Sequence, residues 1–172
     1  MGRKEYRTQW GKMITSISPA YIKKGYRILC FARLKESSVC PLLFIVLSNA
    51  LRIGAQKTFR YFKEQGVTVK VISGDHPETV SEIARLAGIE NYDKFIDATK
   101  LDTKEKIEKA ALTYTVFGRV TPKQKQMLVK AMQRKNHTVA MTGDGVNDIL
   151  ALKDADCSIA MASGSEAVSQ VA

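Results

Sequence analysis

Met141 to Asp148 read MTGDGVND, and with the residues before them they form HTVAM, a short apolar run, leading into a glycine-flanked turn that carries Asp144, Asn147 and Asp148. A turn of this kind follows a buried strand in open α/β sheets, where ligands collect beyond the carboxyl ends of the strands. Gly143 and Gly145 let the backbone pass close to an anion, because a residue without Cβ tolerates tight geometry and near approach. Asp144 and Asp148 supply hard oxygen atoms of the sort Mg²⁺ takes beside phosphate. The same residues also read as a plain strand-to-helix turn, since Asp and Asn are common helix caps. The length of the octet favours the ligand reading.

Outward from that turn the chain alternates strands and helices. Met13–Lys24 reads as a short helix stopped at Gly25, and Tyr26–Ala32, YRILCFA, as a strand. Leu34–Pro41 reads as a connection. From Leu42 the pattern is LLFIVLS as a buried strand, GAQKTFRYFKEQG as a helix, VTVKVIS as a strand and PETVSEIARLAG as a helix opening on Pro77. Strands at Lys94–Ile96 and Thr115–Phe117 alternate with helices at Thr103–Leu112 and Thr121–Lys135. HTVAMT, a helix over Val146–Lys153, CSIAM and a helix from Ser165 complete the order. Helices flanked by strands predict parallel pairing with right-handed crossovers in a doubly wound sheet.

Composition sets bounds on function. The chain has 172 residues, enough for one ordinary domain with a small appendage, and 45% of them are apolar, as in globular proteins. Cys30, Cys40 and Cys157 are odd in number and widely spaced, without a ligand or disulfide pattern, and read as reduced thiols. The apolar run Val39–Leu47 is far short of the roughly 20 residues that cross a bilayer, and no signal-peptide pattern precedes it. A net charge of +10 gives salt-dependent attraction to phosphates. The Lys and Arg are scattered, with no dense run and no interleaved aromatics, so no nucleic-acid partner is expected. Missing acidic neighbours, attraction to nucleotide, or a cytosolic face near anionic lipid accounts for the excess.

Three segments together resemble one family. ISGDHPET at Ile72–Thr79, FGRVTPKQK at Phe117–Lys125 and MTGDGVND occur in the order found in the phosphorylation domain of P-type cation-transporting ATPases, a branch of the haloacid dehalogenase-like superfamily. The match runs over most of the chain, and the continuation ILALKDADCSIAMASGSEAVSQVA resembles a bacterial, calcium-type subgroup. The resemblance implies an α/β, Rossmann-like parallel sheet flanked by helices, preceded by a small remnant of the nucleotide-binding domain. Its domain plan is a basic opening at 1–12, the remnant and hinge at 13–41, and the phosphorylation domain at 42–172. It implies Mg²⁺ and ATP as cofactor and substrate, and as partners the nucleotide-binding, actuator and transmembrane domains of a parent pump. It also implies a cytoplasmic location on an integral protein of a bacterial cell membrane.

Three departures go with the resemblance, the first being Ile149 and Leu150 where many family members carry Ala-Pro. The family carries its phosphorylated aspartate in a DKTGT segment, and none occurs between Met1 and Ala172. The nearest string, DADCS at Asp154–Ser158, precedes its apolar run instead of following it, and so reads as the start of a strand. The isolated chain is therefore expected to be inactive, and the absent segment to leave two strand edges, VTVKVIS and HTVAM, to re-pair or stay open. At Ser48–Arg52, SNALR stands where many relatives have an acid, prolines and an arginine at the domain hinge; only Arg52 is retained.

The resemblance distributes roles among the residues. Phosphoryl transfer is helped by positioning and by cancelling charge on the phosphoryl oxygens. Ser73 corresponds to a hydroxyl donor to the phosphoryl group, Gly74 to an amide with room beside it, and Asp75 to the nucleotide side of the cleft. Lys125 would neutralise the attacked carboxylate, Asp144 would bind Mg²⁺, Asn147 would donate to phosphate, and Asp148 would orient the metal surroundings or Lys125. Arg27 matches an arginine that reaches the nucleotide phosphates, with a solvated strand-edge arginine as the other reading. Arg119 is placed among the phosphate-side residues, as a brace of their loop. A stand-alone phosphatase of the same superfamily and a noncatalytic nucleotide-binding module remain as alternatives at this point.

Overall fold

The computed structural model describes residues 21, 24–35, 38–48 and 50–171. The expected opening at Met1–Lys12 lies outside them, as does the expected helix at Met13–Lys24 except for Tyr21 and Lys24. Strands β1 (Arg27–Lys35) and β2 (Ser38–Leu47) pair antiparallel, Arg27 opposite Leu47, with a register shift between Phe31 and Ala32.

That hairpin corrects the expectation of LLFIVLS as a buried strand of a parallel sheet. Only residues 36 and 37 separate the two strands. Parallel strands need a crossover of about a dozen residues or more, whereas antiparallel ones close with a two-residue turn. β2 also runs through residues 41 and 42, where the sequence suggested a boundary. Pro41 is buried, but Leu42, Leu43, Ile45, Val46 and Leu47 keep between 39% and 51% exposure.

After helix α1 (Ala55–Glu64) the chain follows the predicted alternation: β3 (Val71–Ile72), α2 (Pro77–Leu86), β4 (Phe95–Asp97), α3 (Lys104–Thr113), β5 (Val116–Gly118) and α4 (Pro122–Gln133). It ends with β6 (Ala140–Gly143), α5 (Ile149–Asp154), β7 (Cys157–Ala160) and α6 (Glu166–Ser169). Strands β3, β5 and β4 form one parallel sheet in that order, and β6 and β7 form a second. The doubly wound sheet of the expectation is thus divided. β3 pairs on one side only, with β5, and β6 on one side only, with β7. VTVKVIS accordingly narrows to Val71–Ile72, because a strand is defined by the ladder it makes and this one has a single neighbour.

Helix α4 holds the two halves together. Leu128 and Ala131 pack with Phe117, Val120, Ile107 and Ala110 over the first sheet. Val129, one residue on from Leu128, packs with Val139 and Ala151 beside the second. Its start is fixed by a complete capping box: Thr121 Oγ1 accepts from the Gln124 amide, and Gln124 Oε1 accepts from the Thr121 amide, with Pro122 opening the helix. A third cluster, Val80, Ala84, Ala87, Ile89 and Val116, seats α2 on β5.

Candidate active site

The loop at the end of β3 carries one group of candidate residues. Ser73 continues the ladder, its amide donating to Phe117 O at 2.9 Å and its carbonyl accepting from the Val120 amide at 3.0 Å. Its hydroxyl accepts from the Asp75 amide at 3.1 Å, the short side-chain-to-backbone bond that stabilises a turn. Gly74 is exposed, and a Cβ built there would meet nothing nearer than Val120 O at 4.0 Å. A side chain at this position would find open space.

Arg119 belongs to the same neighbourhood. It adopts a left-handed backbone, φ 55, unusual for a residue with a side chain. Its amide donates to Asp75 O at 2.8 Å, and its guanidinium donates to Asp97 Oδ2 at 3.0 Å. Asp97 also accepts from the Thr99 hydroxyl and amide. The Thr99 hydroxyl above all, with the Thr99 amide and Arg119, holds the Asp97 carboxyl below the ordinary Asp value. Arg119 is therefore a brace between the β3 and β4 loops. Arg27 and Asp75, both assigned to nucleotide, approach each other at 3.7 Å with 59% and 39% of their side chains exposed. At that distance and exposure the pair contributes little, and both groups stay accessible.

The turn after β6 carries the second group. Val146–Asp148 make a short 3₁₀ turn ahead of α5, where the sequence suggested one continuous helix from Val146. Asp148 is buried with 6% exposure, while Asp144 and Asn147 are exposed. Lys125 Nζ, from the first turn of α4, donates to Asp148 Oδ1 at 2.6 Å, with side-chain exposures of 12% and 8%. Asp148 Oδ2 faces the Asp144 and Gly145 amides at 3.4 and 3.3 Å. Gly143 is required by this packing: a Cβ there would stand 2.6 Å from the Asp148 Cβ.

Lys125 is thereby singled out from its neighbours. Lys123 is exposed, and Lys130 pairs with Asp154 at 3.0 Å on the outer side of α4–α5. The helix that carries Lys125 begins next to Ser73, through the Val120–Ser73 bond, and delivers the ammonium to the Asp144 turn. Helix α4 and the residue before its cap thus connect the loops of the two separate sheets.

The donor set fits a hard divalent cation as a partial site. The exposed Asp144 carboxylate is available, whereas both oxygens of Asp148 are engaged by Lys125 and by backbone amides. Among the described residues no cluster of three or more His, Cys, Asp or Glu occurs. Mg²⁺ bound by one carboxylate keeps most of its water.

Several residues that shape the site were not singled out from sequence. Asp97 anchors Arg119, Gln124 reaches Ala98 O and Leu101 O at 2.8 and 3.1 Å, and the Ser165 amide donates to Asp144 O at 2.9 Å. For Gln124 a signal existed, the T-x-x-Q spacing of a capping box from Thr121. Asp97 and Ser165 act through long-range contacts that no local spacing announces.

Comparison with known proteins concerns the chain's family. A family model of haloacid dehalogenase-like hydrolases matches residues 22–156. The chain is 41% identical over 161 residues to a probable cation-transporting ATPase, exp7, of Streptococcus pneumoniae, covering 88% of this chain and 21% of that protein. It is 48% identical over 135 residues to the calcium-transporting ATPase CtpE of Mycobacterium bovis, covering 78% of this chain and 17% of that protein. Human calcium-transporting ATPase type 2C member 2 is 39% identical over 141 residues, covering 80% and 15%. The chain thus spans about a fifth or less of the length of these relatives. It belongs to the haloacid dehalogenase-like hydrolases, in the branch of the P-type cation-transporting ATPases.

Proposed function

We propose that this chain is the phosphorylation-domain portion of a larger pump that couples ATP hydrolysis to cation transport, with Ca²⁺ as the cation. The observation that carries the reading is the buried Lys125–Asp148 pair at the base of the Asp144 turn. A cation held rigidly in a site of low water content counters developing negative charge far better than one in solvent. Lys125 would stabilise an acceptor carboxylate and the phosphoryl oxygens, with Asp148 fixing its direction. Ser73 and the Gly74 amide would donate to the same oxygens from the other sheet, and Asn147 from the turn. Asp75 and Arg27 would meet the nucleotide. Asp144 would hold Mg²⁺, which when bound neutralises phosphate charge and polarises a phosphoryl oxygen.

The choice of Ca²⁺ rests on the names of the mycobacterial and human relatives. The pump's nucleotide-binding, actuator and transmembrane domains would lie outside this chain, with these residues on the cytoplasmic face of a bacterial cell membrane. Among the described residues no helix is long and apolar enough to cross a membrane. With no DKTGT nucleophile in its sequence, the isolated chain is expected neither to form a phosphoenzyme nor to hydrolyse phosphate esters.

The test is hydrolysis of p-nitrophenyl phosphate and binding of ATP by the isolated chain. No turnover is expected, and Mg²⁺ affinity by calorimetry should be on the order of millimolar or weaker. Turnover abolished by Asp144→Ala would replace the reading with a stand-alone phosphatase. ATP binding that ignores both Mg²⁺ and Asp144→Ala would replace it with a noncatalytic nucleotide-binding module.

A further inference from the structure

The backbone of Asp144 is approached on one side and hydrogen-bonded firmly on the other. Its amide faces Asp148 Oδ2, and its carbonyl accepts from the Ser165 amide at 2.9 Å. Ser165 belongs to the loop that follows β7, a segment the roles assigned above leave unused. That loop lies directly against the turn: Met161 N donates to Gly143 O at 3.0 Å, and Gly164 N donates to Met161 O at 2.8 Å. A Cβ built on Gly164 would stand 2.8 Å from Asp144 O, 2.9 Å from Met161 O and 3.0 Å from Asp144 Cα. All three are backbone atoms, which cannot swing aside as a side-chain tip can. On its outer side the loop is tied by Arg52, whose Nη2 donates to Ser163 Oγ at 2.9 Å across 111 positions of sequence.

We infer that the loop Met161–Ser165 is the positioning element of Asp144. Gly164 lets the loop close onto the turn, the Ser165 amide fixes the Asp144 carbonyl, and Arg52 holds the loop in place from the segment between β2 and α1. Asp144 has a short side chain, so a shift of its backbone moves its carboxylate by nearly the same amount. Ser165 acts through its amide alone, since its hydroxyl is buried without a hydrogen-bond partner. Arg52 acquires a role here independent of the hinge acid and prolines that are absent before it. The inference rests on the reading of Asp144 as the metal ligand.

The experiment uses Mn²⁺ as the probe on the ¹⁵N-labelled chain, following paramagnetic broadening of the amides of residues 143–148. Broadening in the unmodified protein should disappear in Asp144→Asn. Gly164→Ala should require about tenfold more Mn²⁺ for half-maximal broadening, the scale found when residues that orient a metal ligand are altered. Ser163→Ala and Arg52→Gln, both exposed changes, should each raise the midpoint about twofold, and Ser165→Ala should leave it unchanged. A folded Gly164→Ala with an unchanged midpoint overturns the inference, as does a Ser165→Ala midpoint displaced as far as that of Gly164→Ala. If Gly164→Ala does not fold, unchanged midpoints in both Ser163→Ala and Arg52→Gln overturn it. Absence of any broadening dependent on Asp144 in the unmodified chain would instead overturn the metal-ligand reading beneath it.

Discussion

Replacing Lys125 by Met keeps the length of the stem and removes only the ammonium. What remains is Asp148, 6% exposed, with its Oδ2 facing two amides at 3.4 and 3.3 Å and its Oδ1 without a partner. Those distances lie beyond the usual range of strong N–H···O bonds, so the amides offset little of the loss. Removing one partner of a buried ion pair costs roughly 3–5 kcal/mol. The 12% exposure of the lysine side chain lets some water reach the carboxylate, which places the expected loss near the lower end, about 3 kcal/mol. For a chain of this size that corresponds to a fall in Tm of roughly 6–12 °C. Urea denaturation followed by circular dichroism measures it, and a cycle with Asp148→Asn isolates the pair. Because neither group is left charged and alone in the double variant, its loss should be well below the sum of the two single losses. A loss under about 1 kcal/mol, the size of a surface pair, or strict additivity in the cycle, would refute the account of a buried, directed lysine.

Other outcomes follow from the same packing. Gly118→Ala should destabilise the protein by roughly 2–3 kcal/mol in urea, because its Cβ would overlap Pro77 N and Cα, backbone atoms at the start of α2. Gln124→Met should cost about 1–2 kcal/mol by the same measurement, since it removes the side-chain half of the α4 capping box and takes the Gln124 donor from Leu101 O, whereas Ala98 O keeps the Leu101 amide. Asp97 has its pKa held below the ordinary 3.8 by Thr99 and Arg119. Its contribution is therefore complete above that value and lost as pH falls towards the depressed one. Asp97→Asn should be less stable than the unmodified chain at pH 7, and the difference in Tm should shrink as pH falls below the ordinary Asp value of 3.8.

The sequence alone determined the local chemistry. TGDGVND presents its acids and amide on a glycine-flanked turn, Thr121-Pro122 announces the start of α4, and Pro77 the start of α2, because turns and caps depend on residues close together in the chain. The alternation of strand and helix was legible for the same reason, down to the short strands at β4 and β5. The family resemblance, not the alternation, implied two strand edges at VTVKVIS and HTVAM; β3 and β6 each pair on one side only, in separate sheets.

Tertiary structure decided what rests on partners distant in sequence. LLFIVLS reads as buried from composition, yet its neighbour is β1, and pairing with an adjacent strand across two residues sends it out of the parallel sheet into an exposed hairpin. Lys125 could be told from Lys123 and Lys130 by family likeness, but only the fold shows its ammonium against a buried carboxylate. Asp97, Ser165 and the Arg52–Ser163 tie leave no periodic trace, since a side chain meeting a group up to 111 residues away is positioned by how helices and strands stack. Local spacing fixes which groups a loop presents; the packing of one loop against another fixes where they point.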